Sequence, residues 1–163
     1  MLHKKVEDIC NQQIEKEGFS SFLYLAMASW SETQGYPGIA KWLYAQAEEE
    51  LEHMLKFVGF INERGGKAVI PALKKPPVDF KDVAVMFKEV LKHEQYITAS
   101  INEIVAVCHE LPDYTTLNWI QWFVNEQIEE ERNAQDIIDK LNLLDGKNLY
   151  VFDRDIFSFR KEE

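Results

Sequence analysis

A carboxylate and an imidazole stand three residues apart, at Glu50 and His53, in a segment that otherwise has the pattern of a buried helix face. Read as a seven-residue repeat, the same stripe contains Ile39, Leu43, Gln46, Phe57 and Phe60. Residues three apart lie on one side of a helix, and a charged group in a dry interior must be paired, hydrogen-bonded or bound to a metal ion. One such pair is short enough to be an ordinary ion pair, so its meaning depends on what other helices bring to the same depth.

Three further apolar stripes are interrupted by polar residues near their midpoints. The interrupting residues are Glu17, Glu94, Gln127 and Glu130. Glu17 and Glu50 are separated by 33 residues, and so are Glu94 and Gln127. The chain therefore reads as two copies of one helix hairpin, each of which supplies a single Glu and then a pair of polar residues three apart.

Four-helix bundles hold two iron or manganese ions by this arrangement, with one Glu from each of two helices and an i, i+3 pair from each of the others. Hard carboxylates suit iron, and an imidazole adds affinity for the divalent state. We expect one ion to be bound by Glu17, Glu50 and His53, and the other by Glu50, Glu94 and Glu130. The second site should be weaker, because the second hairpin has Gln127 and Glu130 where symmetry would place Glu and His. Gln127 would be a hydrogen-bonding or distant ligand.

Ordinary buried ion pairs are the alternative explanation for these interruptions. That explanation has to account for four interruptions at one depth, with no Lys or Arg nearby on any of the four stripes to neutralise the acids. The sequence therefore favours a metal centre.

The elements that must position these residues follow from the helical periods and the breaks between them. The predicted helices are α1 over residues 4–34, α2 over 38–64, α3 over 82–110, α4 over 113–142 and a short α5 within 149–159. A Gly-Tyr-Pro-Gly break at 35–38 makes α1 and α2 antiparallel neighbours. Gly65-Gly66 is the expected stop of α2, and Asp82 or Asp79 is the expected N-cap of α3.

Residues 65–81 contain three prolines and no helical period, so they form a long connection. About 16 extended residues reach about 50 Å, whereas a helix of about 27 residues is about 40 Å long. The connection can cross the full length of the bundle. We therefore predict an all-α chain, one domain over residues 1–163, with a four-helix bundle, one long crossover and a short fifth helix.

The composition and charge indicate which classes of partner the protein can bind. The formal charge of −10 and the pI near 4.9 disfavour a nucleic-acid surface and suit cations. No apolar run of membrane-spanning length and no signal peptide is evident, so we expect a cytoplasmic protein without a membrane partner. Cys10 and Cys108 have no metal-ligand spacing and are expected to be free core thiols.

Apolar residues exceed what one bundle needs. In α1 the surplus comprises Phe19, Phe22, Leu23, Leu25, Ala26 and Trp30, and the tail from 149 to 159 adds several aromatics that we expect to be exposed. Such surfaces indicate assembly into an oligomer.

Four stretches together resemble a prokaryotic non-haem ferritin over essentially the full length of the chain. They are Glu17 with Ser20-Ser21-Phe22-Leu23-Tyr24, then Glu49-Glu50-Leu51-Glu52-His53, Lys92-His93-Glu94-Gln95 and the run from Gln121 to Glu130. The resemblance implies a ferritin-like bundle that oxidises Fe(II) to Fe(III) with dioxygen or hydrogen peroxide and stores a hydrated ferric oxide. It also implies a shell of 24 identical subunits in octahedral symmetry.

The resemblance also assigns residues. The diiron ferroxidase centre would use Glu17, Glu50, His53, Glu94, Gln127 and Glu130, and a third iron site would use Glu49, Glu126, Glu129 and Glu130. Tyr24 could hydrogen-bond a ligand or supply an electron, and Trp122 resembles a family tryptophan that assists oxygen reduction; packing is the alternative for both. For the residues of the third iron site, the alternative is an acidic surface that is exposed to solvent. His3, His93 and His109 are interpreted as surface or structural residues.

Related classes fit less well. A haem-binding bacterioferritin would need a methionine on α2 as axial ligand, and position 52 is Glu52, so no haem is expected. Twelve-subunit DNA-protecting relatives place their iron ligands between subunits, whereas this chain supplies a complete set by itself. Rubrerythrin-like peroxidases usually carry an added Cys-rich iron domain, which this sequence does not show. A non-catalytic helical scaffold or signalling protein is the alternative from a different class, although most such signalling proteins are secreted.

Overall fold

The computed structural model describes residues 2–144 and 146–160, and within those ranges the chain forms helices and loops without a β-strand. The α-helices are α1 Lys4–Thr33, α2 Pro37–Glu63, α3 Val83–Glu110, α4 Tyr114–Leu144 and α5 Leu149–Asp155. A 3-10 turn, Ile156–Phe159, follows α5. The predicted all-α architecture is confirmed, and each long helix begins and ends within two residues of its predicted bounds.

The long helices pair as two hairpins, α1 with α2 and α3 with α4, and α1 also packs against α3. Their apolar faces form two separate buried clusters. One contains residues 23–30 of α1 and 39–47 of α2, and the other contains residues 6–14 of α1 and 54–61 of α2. The interval between the clusters holds Glu17 on α1 and Glu50 on α2. The same division falls around Glu94 on α3 and around Gln127 and Glu130 on α4.

Local chemistry explains where the helices begin and end. The Asp82 carboxylate accepts a hydrogen bond from the Val85 amide at 2.7 Å, so Asp82 is the N-cap of α3. Asp113 plays the same part for α4, because its carboxylate accepts from the Thr116 amide at 3.0 Å. At the end of α2, Gly65 has a φ of +74°, a left-handed conformation that favours glycine.

The crossover from α2 to α3 runs along α1. Near the start of α1, the Asn11 side chain donates to the Lys67 carbonyl and accepts from the Val69 amide. Near its end, the Trp30 ring packs edge-to-face against Phe80, with ring centroids 5.6 Å apart. The loop thus spans the bundle, as the residue count predicts.

The tail folds back onto the bundle at the start of α2. Its Asp153 carboxylate accepts from the Ile39 amide at 2.8 Å, which caps α2. A Cβ on Gly38 would lie 1.7 Å from the Asp153 carbonyl oxygen, so only glycine permits this approach. The expectation of exposed tail aromatics is wrong in part: Phe152 is buried against the first apolar cluster, whereas Tyr150 is exposed. Phe152 is buried because Asp153 caps α2 and so holds the tail against the core.

Of the surplus apolar residues predicted on α1, Phe22 and Leu25 are each more than 40% exposed, whereas Leu23 and Trp30 are buried in the first apolar cluster. Cys10 and Cys108 are buried free thiols, as predicted. Burial raises the pKa of Cys10 to about 12. In the described part of the chain, none of the helices combines the length and the apolar character that a membrane span requires.

Candidate metal centre

The six side chains predicted to form a diiron centre all lie in the interval between the two apolar clusters. Glu17, Glu50, His53, Glu94, Gln127 and Glu130 are each at most 4% exposed. One or two of them come from each long helix, so the four helices converge at this level. Among the described residues, no Lys or Arg is buried. The carboxylates therefore have no buried counter-ion from the protein.

Three of the six are closest together. Glu17, Glu50 and His53 each offer a ligand atom, and these atoms lie within 4.8 Å of one another. The His53 Nδ1 atom lies 3.5 Å from Glu50 Oε2. The Oε2 atoms of Glu17 and of Glu50 are buried and have no hydrogen-bond partner. A buried acceptor without a partner costs roughly 1–3 kcal/mol. A proton shared between Glu17 and Glu50 offsets part of that cost in the metal-free protein, and a cation bound between these oxygens would replace it.

The other oxygen of Glu17 is held by the protein. Gln13 Nε2 donates to Glu17 Oε1 at 2.8 Å, and Ser100 Oγ donates to Gln13 Oε1 at 2.8 Å. This buried relay fixes the carboxylate plane and leaves one oxygen directed to the centre. Outer partners of this kind orient metal ligands and tune their affinity.

The predicted ligands of the second hairpin are more fully hydrogen-bonded. The Tyr24 hydroxyl donates to Glu94 Oε1, and Gln127 Nε2 donates to Glu94 Oε2 at 3.2 Å. Gln46 Nε2 donates to Glu130 Oε2 at 3.1 Å. The Gln127 amide thus acts as a hydrogen-bond donor to Glu94, which is one of the two roles predicted for it.

Burial and mutual repulsion control the protonation of the centre without metal. Burial raises the pKa of Glu17 and of Glu94 to about 7. Burial, together with the charges of Glu94 and other nearby carboxylates, raises the pKa of Glu50 and of Glu130 well above the ordinary value. Burial, with a smaller contribution from the charge of Lys56, lowers the pKa of His53 to about 3. His53 is therefore neutral, which is the form that binds metal ions.

A second acidic group adjoins the first on its outer side. Glu49, His53 and Glu126 offer ligand atoms within 4.8 Å of one another. Glu49 and Glu126 border a pocket of about 300 Å³ between α2 and α4, which Glu129 and Glu130 also line. The structure thus brings together the four residues predicted for a third iron site, Glu49, Glu126, Glu129 and Glu130. It adds His53, which faces both groups and was not predicted for the outer one.

The two aromatic candidates contact different predicted ligands. Tyr24 is fully buried, and burial together with the Glu94 charge raises its pKa well above the ordinary value. Trp122 is 40% exposed; its ring packs edge-to-face against His53, with centroids 5.4 Å apart, and Lys56 Nζ lies 4.0 Å above it. Tyr24 therefore contacts a predicted ligand through its hydroxyl, and Trp122 contacts one through its ring.

The supporting contacts of two residues were not predicted. His93 was interpreted as surface or structural, and it proves structural: its Nε2 lies 2.7 Å from Ser20 Oγ, and its ring packs edge-to-face on Tyr24. This contact joins α3 to α1, so no local pattern indicated it. Arg160, in the tail, contacts Gln46 and Glu49, and no pattern in the sequence predicted that contact.

The fold and this ligand set define a class: a four-helix-bundle protein with a carboxylate-rich core able to hold divalent cations. Residues 7–144 match the family of the ferritin-like domain. A probable bacterial non-heme ferritin-like protein of Haemophilus influenzae is 42% identical over 96% of both chains. A bacterial non-heme ferritin of Campylobacter jejuni is 38% identical over 94% of this chain and 93% of that protein. Among solved structures, an open pore ferritin of Archaeoglobus fulgidus superposes with a TM-score of 0.94 at 36% identity, covering 98% of each chain.

The chain therefore belongs to the ferritin family, and the predicted resemblance is confirmed. Family membership supports a role in iron storage.

Proposed function

We propose that this protein oxidises Fe(II) at a diiron ferroxidase centre formed by Glu17, Glu50, His53, Glu94, Gln127 and Glu130, and stores the product as a hydrated ferric oxide. The observation that carries the proposal is the pair of buried carboxylate oxygens without a hydrogen-bond partner, Glu17 Oε2 and Glu50 Oε2, beside a neutral His53. A folded protein tolerates such a pair most readily where a cation completes it.

Binding of iron to this centre is coupled to proton release. The four carboxyl groups have raised pKa values, so some of them hold protons near neutral pH in the metal-free protein. Fe(II) needs the ionised form, and each ion that binds must displace protons. Glu50 belongs to both predicted ligand sets, so it would bridge the two ions.

The oxidation step balances with either acceptor. Two Fe(II) ions give one electron each; dioxygen takes the two electrons and two protons and forms hydrogen peroxide. With hydrogen peroxide as the acceptor, two electrons and two protons form two water molecules. Paired ions suit this two-electron step. We propose that Tyr24 holds the Glu94 carboxylate in place, and that Trp122 shields His53 from solvent.

A third iron position on the outer side would use Glu49, Glu126, Glu129 and Glu130. The shared pocket and the Glu49–His53–Glu126 group support it. Because His53 faces both groups, an ion at the outer position would lie next to the diiron centre. We propose that this position passes iron between the centre and the mineral.

We further propose that the protein acts as a homo-oligomer of 24 subunits in octahedral symmetry, without haem. The exposed Phe22 and Leu25 on α1 support burial of that face in a subunit contact. Light scattering should give a particle of about 24 chains, and a stable dimer would contradict the proposal. A haem absorption band in the purified protein would contradict the expected absence of haem.

The experiment that tests the function is Fe(II) oxidation in air by the variant Glu50→Gln. Loss of a shared ligand should slow the first turnover at least about a hundredfold, since even outer-partner changes cost about 10- to 100-fold. The matched control is Glu63→Gln, the same change at an exposed position of α2, which should leave the rate unaltered. Wild-type oxidation no faster than a protein-free control would favour a scaffold role instead.

A further inference from the structure

The described tail ends with a cation inside the acidic pocket. Asp153 and the buried Phe152 hold α5 at the start of α2, and the turn that follows returns the chain along α2 toward the centre. Arg160 comes next. Its side chain is only 23% exposed, and its guanidinium lies 5.9 Å from the centre of the Trp42 ring. The tail thus delivers a positive charge to a defined place.

Arg160 makes two hydrogen bonds there. One guanidinium nitrogen, Nη2, donates to Glu49 Oε2 at 2.7 Å, and the other, Nη1, donates to Gln46 Oε1. A guanidinium stays charged at any physiological pH, and a charge-assisted hydrogen bond of this length is among the stronger ones in proteins. The pair is also shielded from solvent, because the Glu49 side chain is only 19% exposed.

Glu49 is one of the proposed ligands of the third iron position. A divalent cation on Glu49, His53 and Glu126 would need the carboxylate that Arg160 now holds. Carboxylate oxygens that bind a guanidinium have fewer lone pairs free for a metal ion, and two cations that share them repel each other. Occupation of Glu49 by Arg160 and by iron is therefore competitive.

We propose that Arg160 is a built-in counter-ion of the third iron position: it holds Glu49 while the position is empty and must yield Glu49 when a divalent cation binds. The inference rests on the proposed function. Its consequence is a lowered affinity at the third position, so that iron leaves it readily. The tail thereby sets how long an ion remains beside the diiron centre.

The second hydrogen bond links Arg160 to the diiron ligands. Arg160 donates to the side-chain oxygen of Gln46, Oε1, and the side-chain nitrogen of Gln46, Nε2, donates to Glu130 Oε2 at 3.1 Å. The guanidinium thus orients the amide so that its donor faces the metal ligand. Arg160 is a positioning residue, acting on Glu130 through Gln46.

The pocket contains a second cation that provides a matched control. Lys140 also lines the pocket, but its ammonium lies 4.6 Å from the centre of the Phe159 ring. Arg160→Gln and Lys140→Gln remove the same charge from the same pocket. Only the first of them releases Glu49.

The test is calorimetric titration of the assembled, metal-free, full-length protein with Zn²⁺, which accepts carboxylate and imidazole ligands. We expect two tighter sites, of which the one at Glu17, Glu50 and His53 is the tightest, and one weaker site per subunit in the wild type. Arg160→Gln should tighten the weaker site about tenfold, because a charge-assisted hydrogen bond no longer competes. Lys140→Gln should change the affinity of the weaker site less than about threefold. Arg160→Lys keeps the charge but loses the paired N–H donors of the guanidinium, so its affinity should fall between those of Arg160→Gln and the wild type.

Equal tightening in Arg160→Gln and Lys140→Gln would overturn the inference, since pocket charge alone would then explain it. No change in Arg160→Gln, or no third site in any variant, would overturn it as well. A third site that appears only in Arg160→Gln would support it. Absence of the two tighter sites from every variant would instead contradict the proposed function, and the weaker site would still decide the role of Arg160.

Discussion

The two helix hairpins bring corresponding residues to the centre, yet the hydrogen bonding of their carboxylates differs. In the first hairpin, Glu17 and Glu50 each keep one buried oxygen without a hydrogen-bond partner. In the second hairpin, Glu94 accepts from Tyr24 and Gln127, and Glu130 accepts from Gln46. The first hairpin thus offers acceptors that a cation could fill, whereas the acceptors of the second hairpin already have donors from the protein.

This difference has an energetic consequence. A cation at the first hairpin gains contacts with acceptors that nothing else fills, but a cation at the second must compete with donors already present. The proposed centre should therefore contain a tight and a labile ion. Asymmetry of this kind suits a site through which iron passes.

The largest expected effect on cation affinity comes from substitutions at His53 and Glu130, which occupy corresponding positions in the two hairpins. Replacing His53 with Ala removes the neutral ligand of the first hairpin, and the first cation should bind at least about a hundredfold more weakly, roughly 2.7 kcal/mol. Glu130→Ala should weaken mainly the second cation. Equilibrium dialysis against Co²⁺ measures both constants. Equal losses of the first ion in the two variants would end the distinction between the hairpins.

A smaller effect is expected from the donor that satisfies the second hairpin. Tyr24→Phe removes the hydroxyl that donates to Glu94 and keeps the ring against His93. Oxidation of Fe(II) should slow about tenfold, the lower end of the range for an outer partner of a ligand. Tyr96→Phe, which alters an exposed tyrosine on α3, is the control. Unchanged kinetics in Tyr24→Phe would mean that the hydroxyl serves packing alone.

The smallest effect is a pH dependence of stability in the metal-free protein. Folding raises the pKa of Glu17 and Glu94 to about 7, so the folded state binds more protons than the unfolded state between about pH 4.5 and 7, and stability falls as the pH rises through this range. The lowered pKa of His53 and of His93 acts in the opposite direction, and this opposing contribution fades as the pH rises above the ordinary histidine value of about 6.5.

From pH 6.5 to 8 the carboxyl groups therefore dominate, at roughly 1 kcal/mol for each of Glu17 and Glu94. Thermal unfolding of the metal-free protein should have a lower midpoint at pH 8 than at pH 6.5. Saturating Zn²⁺ should reverse this order, because binding needs ionised carboxylates. A midpoint that rises with pH in the absence of metal would contradict this prediction, because another titratable group would then outweigh the buried carboxyl groups.

Much of the fold was predictable, because helical period, proline and glycine breaks and caps are local signals. Residue type alone predicted the cap of α3 as Asp82 or Asp79, and the structure has Asp82. It also predicted the stop of α2 at Gly65-Gly66, where Gly65 takes the left-handed conformation. The convergence of Glu17, Glu50 and Glu94 could be predicted too, since equal spacing in two hairpins places them at one depth. Their role as iron ligands remains a prediction.

What could not be predicted depends on contacts between distant segments. The burial of Phe152 and the position of Arg160 both follow from Asp153 capping α2, a contact 114 residues apart in the chain. Hydrogen bonding of His93 to Ser20 likewise joins α3 to α1. No local pattern specifies which donors satisfy a given buried carboxylate, so the unequal treatment of the two hairpins appears only in three dimensions.

The asymmetric iron centre can be tested by anomalous diffraction at the iron edge from a crystal soaked anaerobically in Fe(II). We predict two iron peaks per subunit at the middle of the bundle, one among Glu17, Glu50 and His53 at high occupancy and one beside Glu94 and Glu130 at lower occupancy. Absence of iron between the four helices, or full occupancy on the second hairpin with none on the first, would contradict it.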